Sequence, residues 1–203
     1  MEVERALADL AEVRDRLANC QQFRGYSGPA AAFSGLCAVG AGFVQLVLAP
    51  NPQSASEIYI YLSIWSACLG VALVVNYGAL AVWYARTAGL QARSQTRTAG
   101  LSILPAVILG AVLSAALAFH NMYAMLPGVW YSCYAVGLFA SRSMVPQPVV
   151  SAGALFACLG VALLLSPYPA LPLSWWVMPI GFGVIQTYIG YVLAREEESR
   201  QTA

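Results

Sequence analysis

Ile58–Tyr84, IYIYLSIWSACLGVALVVNYGALAVWY, runs its whole length without an aspartate, glutamate, lysine or arginine. About 20 apolar residues in a helix suffice to cross the ~30 Å hydrocarbon layer of a bilayer, and this stretch exceeds that. Five further apolar runs lie outward from it, near 28–49, 99–119, 121–141, 148–166 and 173–194. Charged residues stand only at their borders, as Glu57 and Arg142 do. The chain as a whole is 60% hydrophobic and 9% charged, with a mean hydropathy of +0.67. A water-soluble domain carries about a quarter charged residues. Folded in water, this composition would expose apolar patches well beyond a few hundred Å². Backbone groups in hydrocarbon must pair within their own segment, which requires helices or a closed barrel, and the alternation of barrel strands is missing. The expected fold is an all-α, polytopic membrane helix bundle. Six transmembrane helices fill 25–194, with cytoplasmic flanks at 1–24 and 195–203.

Arginine sets the orientation. With six spans, both termini and the loops after spans two and four share one side. That side holds Arg5, Arg14, Arg16, Arg24, Arg86, Arg93, Arg97, Arg142, Arg195 and Arg200, which are all ten basic residues of a lysine-free chain. The opposite loops hold only Glu57 and His120. Basic residues favour the cytoplasmic face, so the expectation is N-in and C-in, multi-pass, in a bacterial plasma membrane. Tyr59 and Tyr61 at the outer start of span two, Trp83 and Tyr84 at its inner end, and Trp175 and Trp176 before span six fit interfacial depths. Residues 1–24 carry nine charges, unlike a cleavable signal peptide. There Val3, Leu7, Leu10, Val13 and Leu17 recur at helical spacing. That pattern predicts an amphipathic helix which lies on membrane lipid or docks on a protein partner or a second copy. No basic run has the density of a nucleic-acid footprint.

Ala67 to Leu73, ACLGVAL, recurs letter for letter as Ala157 to Leu163, in spans that the topology makes antiparallel. Pro105 and Pro179 each lie six residues into spans three and six. Together these suggest a three-plus-three inverted repeat, although an alphabet of Ala, Leu, Gly and Val also matches by chance. Ala31 and Gly35, then Ala38 and Gly42, predict a close helix contact on span one. Pro179, flanked by Gly181 and Gly183, predicts a kink in span six.

The polar residues offer little chemistry. His120, in the only histidine-bearing stretch, AFHNMYAM, falls at the outer end of span three, where a solvated turn residue is the simple reading. Met122 and Met125 add thioethers that suit Cu(I), but one helical turn cannot bring all three to one face, so neither metal nor cofactor is expected. No span contains a carboxylate, so no catalytic residue is assigned. The five cysteines show no CxxC spacing. Asn76, His120, Tyr131 and Gln186 are the candidate ligand-binding residues, since an amide in hydrocarbon needs a partner. Gln45, Ser132, Tyr134, Thr187 and Tyr188 are further uncharged polar groups at membrane depth.

FHNMYAMLPGVWYSCYAVGL, WWVMPIGFGVIQTYIGY and LAEVRDRLANCQQFRGYSGPAAAFSG resemble a family of small bacterial six-helix integral membrane proteins with no assigned activity. The resemblance implies architecture alone. It also implies that a histidine common in the family stands as Gln186 here. The expected function is binding or transport of a small neutral or amphipathic ligand within the bundle. Two alternatives remain: an accessory or sensory subunit acting through residues 1–24, and a lipid-active enzyme using His120.

Overall fold

The computed structural model describes residues 27–86, 90–168 and 170–201; the amphipathic segment expected at 1–24 lies outside them. Among the described residues the fold is all-helical, with no strand. Six α-helices follow one another: α1 (Gly28–Leu48), α2 (Ala55–Arg86), α3 (Leu90–Phe119), α4 (Leu126–Ala140), α5 (Gln147–Leu164) and α6 (Gln186–Gln201). Short 3₁₀ turns at Tyr123–Met125 and Leu171–Leu173 precede α4 and the last apolar segment. A π-helix, Pro179–Ile185, runs directly into α6.

The helix ends follow local chemistry. The Ser27 hydroxyl accepts the Ala30 N–H and caps α1. Ser54 and Glu57 form a reciprocal capping box at α2: Ser54 Oγ accepts from Glu57 N, and Glu57 Oε2 accepts from Ser54 N at 3.1 Å and Gln53 N at 3.0 Å. Asn121, at φ 58°, closes α3. The Met122 N–H reaches back to the Leu117 carbonyl and the Asn121 N–H to that of Ala118, the bonds of a Schellman cap.

α1, α2, α5 and the Gly100–Phe119 part of α3 are each long and apolar enough to cross a membrane. The expected fourth and sixth spans do not form single helices of that length. α4 has 15 residues, a rise of about 22 Å against a ~30 Å hydrocarbon layer, because the 3₁₀ turn takes up the start of its apolar run. The sixth run is divided between π- and α-helical winding. α3 begins earlier than the apolar run, since no glycine or proline interrupts Leu90–Ala99.

The helices form a ring in chain order. α1 packs closely on α6 and on the π-helix, α4 on α3 and α5, and α2 on α1, while α2 touches α3 little and α5 touches α6 little. Glycine makes the tight seams. A methyl at Gly28 would run into the Ala194 backbone, one at Gly35 into Thr187, one at Gly42 into Pro179, and one at Gly190 into Ala32. The close face of α1 therefore carries Gly28, Gly35 and Gly42, while Ala31 and Ala38 turn toward the ring interior. Gly128 and Gly160 do the same between α4 and α5. The echoed segments are used differently: Gly160 abuts Ser132 and Gly128, whereas Gly70 has nothing within 4 Å. Large apolar side chains on the outer faces are exposed, among them Phe43, Val47, Val74 and Val112, as expected for helices bathed in lipid.

Gln45, fully buried, fastens the end of the ring where α1 stops. Its Nε2 donates to the Leu173 carbonyl at 2.9 Å, and its Oε1 accepts from Trp65 Nε1 at 2.9 Å. One side chain so links α1, α2 and the 3₁₀ turn.

Candidate functional site

The ring encloses a cavity of about 470 Å³, within the roughly 300–1,000 Å³ span of small-molecule sites. All six helices and the π-helix contribute to its wall, which is predominantly apolar. No Asp, Glu, Lys, Arg or His lines it among the described residues. Leu62, Leu73, Ile103, Val107 and Phe182 are typical wall residues, with Trp65 and Trp130 among the aromatic ones. Trp130 is held by donating Nε1–H to Ser114 Oγ at 2.7 Å.

The wall is loosely joined between α2 and α3. α2 and α3 meet near Gly100, where Tyr77 donates its hydroxyl to the Gly100 carbonyl at 3.2 Å and Leu80 packs on the same glycine. Away from that point they share few contacts. Ser66 and Leu69 of α2 and Ala111 of α3 line the cavity and are exposed. The cavity is partly open, and the α2–α3 seam is a loosely packed part of its wall.

Two polar clusters face it. On α2, Asn76 Nδ2 donates to Ser34 Oγ of α1 at 2.6 Å and to the Ala72 carbonyl at 2.8 Å. Ser34 passes its own proton to the Ala30 carbonyl at 2.8 Å. On α6, Gln186 Oε1 accepts the Tyr134 hydroxyl at 2.5 Å. Asn76, Gln186, Ser34 and Tyr134 all line the cavity.

The π-helix positions Gln186, and Tyr131 supports the π-helix. In an α-helix the Gly181 N–H would bond the Val177 carbonyl. Here the Tyr131 hydroxyl stands between them, accepting from Gly181 N at 3.0 Å and donating to Val177 O at 2.6 Å. A side chain inserted in the ladder, next to a proline that lacks an N–H, accounts for the wider winding. Glycine at 181 is required, because a β-carbon would overlap the Tyr131 ring. Met178, Phe182, Gln186, Ile189 and Leu193 consequently stay in one stripe along the cavity. Phe182 of this stripe and Tyr134 pack on Tyr131 and Phe156 behind them with ring centroids 4.8–5.4 Å apart, each contact adding about 0.5–1.5 kcal/mol.

Of the residues singled out in the sequence, the structure brings Asn76 and Gln186 to the same cavity. Tyr131 is buried behind the wall, bonded to backbone rather than lining the space. His120 lies elsewhere: it is the exposed C-cap of α3, its ring edge-on to Phe119 at 5.4 Å. Tyr123 donates to Asn121 Oδ1 beside it at 3.1 Å. Three or more His, Cys, Asp or Glu residues that could share a metal do not occur together among the described residues. Ser34 was not singled out, and only its distance from Asn76 in the chain concealed the pair. No family model, no curated protein and no solved structure matches this chain.

Proposed function

We propose that the protein binds a small, uncharged, amphipathic ligand in the central cavity and exchanges it with the surrounding lipid through the α2–α3 gap. The observation that carries this reading is a sizeable apolar cavity with amide groups on its wall, no acid or base among the described residues that line it, and a loosely packed seam between α2 and α3. A charged ligand would meet no counter-charge there and would bear its full desolvation cost. An apolar chain enters from hydrocarbon at little cost, and the amides offer hydrogen bonds to its polar end.

In this reading all six segments cross a plasma membrane with both termini cytoplasmic, supported by the arginine distribution and by the four long apolar helices. The 3₁₀ turn at Tyr123–Met125 adds about 6 Å to α4, and the π-helix continues α6, so both can span. The packing order supports a three-plus-three inverted arrangement. Exchanging α1, α2 and α3 for α4, α5 and α6 maps close pairs on close pairs and the loose α2–α3 seam on the loose α5–α6 seam.

Native mass spectrometry of the protein released from membranes tests the reading. A neutral amphiphile should accompany the wild type and be lost when Ala72→Trp fills the cavity. Wild-type protein carrying no amphiphile, or a variant carrying the same one, would overturn it.

A further inference from the structure

We infer that the cavity selects a ligand whose polar end both donates and accepts a hydrogen bond without carrying charge, as a primary alcohol or amide does, with Asn76 Oδ1 receiving and Gln186 Nε2 giving. This rests on the ligand-binding reading above and specifies its chemistry.

The two amides are oriented by their neighbours. Asn76 Nδ2 faces the Ala72 carbonyl, which can only accept, and Ser34 Oγ, whose proton is already committed to Ala30. Both Nδ2 protons are therefore used, and the acceptor Oδ1 is left without a protein partner. Gln186 makes the opposite arrangement. Its contact with the Tyr134 hydroxyl, at 2.5 Å, has the length of an O–H···O bond and is shorter than an N–H···O bond. The oxygen of Gln186 is thus satisfied, and both Nε2 protons are left without a protein partner. Gln186 is 9% exposed and lines the cavity, so a polar group nine-tenths buried points its donors into an apolar space. Neither open atom is sealed by neighbouring protein atoms. Uncompensated polar groups in such surroundings are costly, and a hydroxyl or carboxamide brings both the donor that Asn76 Oδ1 lacks and the acceptor that Gln186 Nε2 lacks. An ether accepts but cannot donate to Asn76, a hydrocarbon does neither, and a carboxylate would be repelled by Asn76 Oδ1.

The test uses the purified full chain in lipid nanodiscs and brominated hexadecyl chains, which quench the cavity tryptophans Trp65 and Trp130 on contact. Four polar ends are compared: alcohol, carboxamide, methyl ether and carboxylate. Alcohol and carboxamide are expected to bind about tenfold or more tighter than the ether. Asn76→Leu should bring the alcohol-to-ether ratio toward one while ether binding persists, whereas Gln186→Leu, which removes a donor that alcohol and ether use alike, should weaken both and leave their ratio unchanged. If a variant fails to fold, the wild-type ratio still decides. Equal quenching by all four chains, or tightest binding of the carboxylate, would overturn the inference and leave cavity binding intact. An emission loss identical in the wild type and in the Trp65→Phe/Trp130→Phe double variant, so that no quenching comes from the cavity, would overturn the inference together with the reading beneath it.

Discussion

Removing one oxygen atom, by Tyr131→Phe, tests how the last apolar segment is built. The hydroxyl holds two hydrogen bonds, to Val177 O at 2.6 Å and from Gly181 N at 3.0 Å, at a site where Tyr131 is 1% exposed. Interhelical hydrogen bonds in membrane proteins average about 0.6 kcal/mol and reach about 1.7. Two of them, with the backbone pair left under-satisfied, give a loss of about 1–3 kcal/mol. The lower end applies if the Gly181 N–H recloses on Val177, which would convert the π-turn toward an α-turn and rotate Gln186. Gly181→Ala attacks the same contact from the other side, and its overlap with the Tyr131 ring should cost about 1–3 kcal/mol. The two positions should couple by more than about 1 kcal/mol, since Gly181→Ala should become nearly silent once Tyr131→Ala has removed the ring. Reversible unfolding in mixed micelles, followed by tryptophan emission, reads each value. Tyr131→Phe within about 0.3 kcal/mol of wild type, together with a Gly181→Ala cost independent of the ring, would refute the inserted-hydroxyl account.

Gln45→Leu should destabilise by about 2–3 kcal/mol in the same assay, because it strips partners from the buried Trp65 indole and Leu173 carbonyl; a neutral result would remove the proposed tie. Gly190→Val should abolish folding, as the α1 backbone occupies that space, whereas Gly70→Val should leave the melting midpoint unchanged; both are read by size-exclusion profile after heating. Glu57→Ala should cost about 1 kcal/mol by opening the capping box at α2, measured as a shift in the micelle unfolding curve. In a cysteine-free background, Ser56→Cys should react with a membrane-impermeant maleimide on intact cells, and Arg195→Cys only after permeabilisation; the reverse pattern would invert the orientation.

The apolar cores of the helices were legible because solvation acts residue by residue, and a run such as Ile58–Tyr84 has one low-energy solution in lipid. Their ends were less so, since they depend on caps such as Ser27 and Glu57 and on the 3₁₀ and π-helical turns. The polar interior was half legible. Asn76 and Gln186 stood out because an amide at membrane depth demands a partner, but the demand does not name one. Ser34, 42 positions from Asn76 in the chain, belongs to a stretch whose small residues also signal packing, and either use has the same letters. Tyr131 shows the limit more sharply. A tyrosine in an apolar run reads alike whether it bonds a ligand or a backbone, and only the proximity of Gly181 distinguishes them. The seam on α1 was read in part: Gly35 and Gly42 were marked for close contact, but together with Ala31 and Ala38, which line the cavity, and without Gly28. Alanine and glycine both permit close approach, and which is used depends on the width of the neighbouring helix.

The abutment of Gly28 on Ala194 has a consequence for how the polypeptide can be cut. The first turn of the first helix and the middle of the last helix lie backbone to backbone, so a short connector could join the start of α1 to the end of α6 without disturbing the circle. New ends opened in the α1–α2 connection, beside the exposed Gln53 and Ser54, would then yield a rearranged gene product with an unchanged interior. Under the topology proposed above, such a permutant would carry both ends on the opposite face of the bilayer.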